Sequence, residues 1–152
     1  MLNWQIDIRI DEPFQEPVQE SWVRQAVREV VISEGSSDPV ELSLLITDDT
    51  TLHELNRTYR GIDKTTDVLA FAFQEDTEFP SISDGITHLG EVIISCPQAA
   101  KQAEEMGHSL QNEVVVLVVH GVLHLLGYDH ESSEDDEQMR SIESEILARL
   151  QS

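Results

Sequence analysis

Hydrophobic and polar positions repeat along this chain in two periods. Gln5-Ile6-Asp7-Ile8-Arg9-Ile10 alternates every second residue, as a strand with one buried face does. Val18, Trp22, Val23, Ala26, Val27, Val30 and Val31 share one side of a helix over residues 18–34. Glu34-Gly35-Ser36-Ser37-Asp38-Pro39 breaks that pattern, and residues 40–47, rich in Leu and Ile, predict a second strand. Thr51-Leu52-His53-Glu54 has the form of a capping box opening a short helix that runs to Tyr59. A turn-rich segment, 60–66, leads to a third strand over 67–73. The acidic stretch 74–88, with Pro80 and Gly85, reads as a solvated loop before a fourth strand over 89–95. Pro97 suits the first turn of a helix that ends at Gly107. Ser109 can cap the next helix, which Gly127 closes. A last amphipathic helix covers 133–150, with Met139, Ile142, Ile146, Leu147 and Leu150 inward.

The resulting order is β-α-β-α-β-β-α-α-α. It predicts an α+β (mixed α/β) fold, about four strands covered by about five helices. No internal repeat or low-complexity linker divides the chain, so residues 1–152 read as a single domain. Ten of the 13 residues from 114 to 126 are Val or Leu. A helix apolar on nearly every side belongs at the centre of the core.

Composition changes this picture little: 39% of the 152 residues are hydrophobic and 26% charged. Met1-Leu2-Asn3-Trp4-Gln5 lacks a basic segment leading into an apolar run, which points to a mature cytoplasmic chain. The apolar stretch 114–126 is shorter than the roughly 20 residues that span a bilayer, so no membrane association is expected. The single cysteine, Cys96, cannot form an internal disulfide, and is expected as a buried residue at a strand end. Charge matters more. A net charge of −21 disfavours nonspecific binding to polyanions. The basic residues are clustered, however: Arg57, Arg60 and Lys64 place three of the nine within eight positions. Any contact with phosphate is to be sought there.

The chemistry concentrates in His120-Gly121-Val122-Leu123-His124-Leu125-Leu126-Gly127-Tyr128-Asp129-His130. On a helix, positions 120 and 124 differ by about 40° around the axis and about 6 Å along it. Two imidazoles so placed can grip one metal ion. A left-handed turn at Gly127 can return His130 toward the same ion. Three nitrogens leave one tetrahedral position for water, the pattern of a catalytic zinc site. A lone histidine beside an apolar helix is ordinarily a hydrogen-bonded core residue. Two in the middle of a valine-rich helix, followed by Gly and a third His, call for more, because burying imidazoles costs free energy unless both find partners. The spacing is also that of metzincin proteases, but those need a glutamate where this chain has Gly121. A zinc peptidase would have to recruit another carboxylate, such as Asp129 or Glu91. His53, His88 and His108 lack ligand spacing and are expected on the surface or in loops.

At these residues the sequence resembles the YbeY endoribonucleases. Residues 120–130 match the family pattern H-G-x-L-H-L-x-G-Y-D-H. Leu55-Asn56-Arg57-Thr58-Tyr59-Arg60, with Thr66-Asp67-Val68-Leu69-Ala70-Phe71, follows L-N-x-x-Y-R … T-D-V-L-S-F. Leu89-Gly90-Glu91-Val92-Ile93-Ile94-Ser95 follows L-G-D-I-x-I-S. Nearly the whole chain is covered in matching order. Thr65, Ala70 and Ala72 depart from the usual Pro, Ser and Pro. The resemblance implies a single-strand-specific, metal-dependent endoribonuclease acting in ribosomal RNA maturation, notably at the 3′ end of small-subunit rRNA, and in ribosome quality control. It implies His120, His124 and His130 as ligands of one zinc ion and Arg60 as the functional arginine. Arg57 and Lys64 are further candidates for substrate contact. The implied partners are ribosomal RNA and the ribosome or its associated proteins. A ribosome-assembly module with a structural zinc is the other reading the residues leave open.

Overall fold

A computed structural model describes residues 4–34, 39–73, 86–128 and 132–150. The elements in chain order are β1 (Gln5–Ile10), α1 (Glu20–Ser33), β2 (Val40–Thr47), α2 (Asp49–Arg60), β3 (Val68–Ala72), β4 (Thr87–Ser95), α3 (Cys96–Met106), α4 (Leu110–Leu125) and α5 (Ser133–Leu150). The strands form one mixed sheet in the order β1-β2-β4-β3. β1, β2 and β4 run parallel, and β3 joins β4 antiparallel. The expected mixed α/β class and element order hold.

Alternation along the strands gives the sheet two unlike faces. Ile6, Leu42, Leu44, Ile46, Val92 and Ile94 point to one side and build the main core with α1 and α4. Val23, Ala26, Val27, Val30 and Val31 of α1 are buried there at helical spacing. On the other side a smaller cluster of Leu52, Leu69 and Ile93, with Leu45, Leu55 and Phe71, seats α2. Helix α4 touches α1, α3, α5, β3 and β4, the central position its Val and Leu content demanded.

Several boundaries differ from the sequence reading. The helix expected over 18–34 starts at Glu20, after a 3-10 turn over Glu12–Phe14, because Pro13 and Pro17 punctuate the approach. Helix α2 starts earlier than its apparent capping box. Asp48 is the cap, its carboxylate accepting from the Thr51 backbone N–H at 2.8 Å. Strand β4 begins at Thr87, so His88 is a strand residue paired with Glu41 (3.2 Å), not part of a loop. The rest of that loop, 74–85, lies outside the described residues. His53 is exposed, as expected, but sits on α2 against Asp63. His108 is in a loop yet three-quarters buried, bonded at 2.7 Å to the nearly enclosed Glu113. Cys96 is buried, and burial pushes its thiol pKa up.

A polar knot joins α2, the segment 61–67, β4 and α3. The Asp49 carboxylate accepts from Thr65 Oγ1 (2.6 Å), Ser95 Oγ (3.2 Å) and Gln98 Nε2 (3.1 Å). The Thr65 hydroxyl is the closest of these three donors. Buried Asn56 donates to the Lys64 carbonyl at 2.9 Å, and Gln102 to Asp67 at 3.1 Å. Burial would raise the Asp49 pKa, but the bonds from Thr65, Gln98 and Ser95 outweigh it and hold the carboxyl below its ordinary value. A depressed folded-state pKa stabilises the fold above the unfolded pKa, and that stability is lost as pH falls through the folded value. Asp49→Asn is therefore expected to cost about 1–3 kcal/mol at neutral pH, with the gap to wild type closing below about pH 4. Urea unfolding across that pH range measures it, and a gap independent of pH would contradict it.

Candidate metal centre

The end of α4 is built around two imidazoles. His120 Nε2 and His124 Nε2 face each other at 3.2 Å, with ring centroids 4.7 Å apart and planes at 71°. Two bare ring nitrogens at that distance repel unless a proton or a cation lies between them. Nitrogens each about 2.0–2.1 Å from a tetrahedral zinc ion are about 3.3 Å apart, so the pair fits such an ion. Behind His120, Nδ1 lies 2.8 Å from Glu143 Oε1 of α5. An ionised carboxylate only accepts, so Nδ1–H is the donor and the lone pair is left on Nε2.

The helix ends just beyond the pair. Tyr128 N–H donates to Leu123 O (3.1 Å) and Gly127 N–H to His124 O (3.0 Å), the two bonds of a Schellman ending. Gly127 has φ 103°, the positive value this ending requires. His130 and Asp129, which follow, lie outside the described residues. Among the described residues there is no group of three or more His, Cys, Asp or Glu side chains able to hold a metal ion.

Gly121 decides how α4 sits. A Cβ at this position would lie 2.6 Å from Val92 Cγ1 and 3.4 Å from Val68 Cγ2. The position therefore faces the sheet at close approach. A glutamate there, as in the protease motif, would collide with β4. Glu91 offers no substitute. It is exposed, and its strand neighbours Val92 and Ile93 show that it shares the α2 side of β4, away from α4.

The basic candidates occupy a different element. Arg57 and Arg60 lie in the last turn of α2, where a helix C-terminus favours positive charge, and Lys64 follows in the next segment. All three are exposed. Arg60 Nη2 donates to the Ala70 carbonyl of β3 at 3.2 Å, and its guanidinium lies 5.9 Å from the Phe71 ring centre. Tyr59 meets the same ring edge-on at 5.7 Å and is 68% exposed. Strand β3 is thus touched by Gly121 of α4 and by Arg60 of α2. Glu143 leaves no spacing signal in the sequence, since its partner lies 23 positions away on another helix.

A mixed α/β sheet with a facing histidine pair on its central helix defines a candidate metallohydrolase. The comparisons narrow this to one family. Residues 5–151 match the family described as Endoribonuclease YbeY. An Endoribonuclease YbeY of Roseiflexus castenholzii is 44% identical over 146 residues, 95% of this chain and 92% of the relative. One of Pelotomaculum thermopropionicum is 49% identical over 126 residues, 83% and 82% of the two chains. The solution structure of TM1509 from Thermotoga maritima shares the fold, with a TM-score of 0.58 and 24% identity over 97% of this chain and 92% of that one. The chain belongs to the YbeY family of endoribonucleases.

The close packing at Gly121 has a measurable sign. Alanine would gain about 1 kcal/mol in helix propensity but overpack Val92, at a cost of about 1–3 kcal/mol. Gly121→Ala is expected to destabilise the wild-type protein and to be neutral or stabilising in a Val92→Ala background. Chemical unfolding of the four-member cycle tests this; an equal effect in both backgrounds would contradict it.

Proposed function

We propose that this chain is a metal-dependent endoribonuclease that cuts single-stranded RNA with one zinc ion held by His120, His124 and His130. Its role would be ribosomal RNA maturation, at the 3′ end of small-subunit rRNA, and ribosome quality control in the cytoplasm. The observation that carries this reading is the facing Nε2 pair at 3.2 Å in a chain of this family. When bound, the ion supplies a positive charge that polarises a phosphoryl oxygen or acidifies water.

The chain's own residues do the rest. Arg60 orients the scissile phosphate through its planar guanidinium, which its bond to Ala70 O and its position over Phe71 hold in place. Arg57 and Lys64 contact neighbouring phosphates. The exposed ring of Tyr59 beside them offers a stacking face, which suits unpaired bases. Position 121 has no room for the protease glutamate, so the peptidase reading gains no support.

The net charge of −21 limits what these residues achieve alone. Intrinsic RNA affinity is expected to be weak and to fall with added salt, with the ribosome or a basic associated protein presenting the substrate. No helix among the described residues is long and apolar enough to cross a membrane.

The test is cleavage of a single-stranded rRNA 3′-end substrate by metal-quantified protein. His124→Ala is expected to lose bound metal and about 100-fold or more in rate. Arg60→Ala should keep its metal and lose about 10–100-fold. Equal cleavage by all three proteins would identify a contaminating nuclease and sink the assignment. Loss of activity in Arg60→Ala with unchanged metal separates an enzyme from an assembly module with a structural zinc.

A further inference from the structure

We propose that Glu143 of α5 is a positioning residue for the metal, fixing the tautomer and direction of His120 and coupling metal binding to the docking of α5. The inference rests on the reading that the histidine pair holds a metal ion, and deepens it.

Three observations support it. First, Glu143 Oε1 lies 2.8 Å from His120 Nδ1, on the side of the ring away from His124. Its carboxylate therefore does not compete for the ion. It holds the hydrogen on Nδ1 and leaves the Nε2 lone pair directed at the gap shared with His124. A carboxylate accepting from the far nitrogen also makes the near one a stronger donor to a metal.

Second, Glu143 occupies an apolar stripe. Met139 and Ile146, four residues before and three after it, are both fully buried. Positions 139, 143 and 146 share one face of a helix. Only 19% of the Glu143 side chain is exposed, against 27% for His120. A carboxylate in such a stripe costs desolvation energy that an apolar side chain would avoid. Packing of α5 does not explain it, whereas orientation of His120 does.

Third, the bond adds a directional polar link between two helices that also meet through apolar contacts. Met139, Ile142, Ile146 and Leu147 of α5 join the core built around α4. The 2.8 Å bond ties the turn of α5 that carries Glu143 to the ring of His120. A metal that draws on the His120 lone pair strengthens the Nδ1–H donor, and so tightens the hold on α5.

The experiment uses the full chain, with cobalt(II) as the probe metal, at one fixed pH. Affinity is read by chelator competition and from the cobalt absorption spectrum. Protection of α5 is read by amide hydrogen exchange with and without cobalt. Glu143→Ala is expected to weaken cobalt binding about 10–100-fold and to abolish the metal-induced protection of α5. Glu143→Gln keeps the shape and a weaker acceptor, and should fall between the two; it also gives the readout if the alanine variant does not fold. Met139→Ala loosens α5 without touching His120. It should lower the melting temperature but keep wild-type cobalt affinity. The proposal is overturned if either Glu143 variant, once folded, binds cobalt as tightly as wild type. It is equally overturned if Met139→Ala weakens binding as much as Glu143→Ala, which would make Glu143 a packing residue. A wild-type protein that binds no cobalt, zinc or other divalent ion would remove the metal reading itself, and this inference with it.

Discussion

The close contact between Gly121 and Val92 sets the height of α4 above the sheet. With no side chain at 121, the helix backbone lies against β4, and the apolar residues on its remaining sides reach α1, α3 and α5. A helix held on every side has little freedom to rotate or slide. This packing places two imidazoles on a largely apolar stretch of helix with their Nε2 atoms facing each other at 3.2 Å. Desolvating them is costly, and the cost is offset only when both ring nitrogens of each have partners. Glu143 supplies one such partner for His120.

The sequence carried much of this in legible form. The density of Val and Leu from 114 to 126 announced a central helix, and glycines marked the ends of α3 and α4. Four strands and five long helices were found in the expected order. What misled was local. Thr51-x-x-Glu54 matched a capping box, but Asp48 took the cap, because several residues in that stretch can accept an N–H and only the path of the chain selects one. Strand order was not legible, since β4 inserting between β2 and β3 depends on which edges meet in space. The site was half legible. Histidine spacing on one helix is periodic and reads directly, whereas Glu143 is set by the packing of two helices. By residue type Gly121 marks only the absence of a base. Its structural role is to provide space, which residue type alone does not reveal.

Charge is distributed to suit the elements that carry it. Glu134, Asp135 and Asp136 occupy the first turn of α5, where exposed amides favour anions. Arg57 and Arg60 occupy the last turn of α2, where carbonyls favour cations. Each placement stabilises its own helix. The second also concentrates scarce positive charge beside the exposed ring of Tyr59, on a chain that is otherwise strongly acidic. A local field of one sign within a global field of the other favours a substrate delivered to the site over one captured from bulk solution.

Among the described residues β3 is an edge of the sheet, and every second peptide group along it faces away from β4. The Asp67 carbonyl and the Phe73 N–H bond inward to β4, which by alternation turns the Ala70 carbonyl outward. Arg60 occupies that carbonyl. An open strand edge is a template on which another chain can add, and a bulky cation along it discourages such pairing. The side chain proposed to contact the substrate phosphate thus also lies along this border of the sheet. A change at Arg60 made to probe catalysis therefore also uncovers a strand-edge carbonyl.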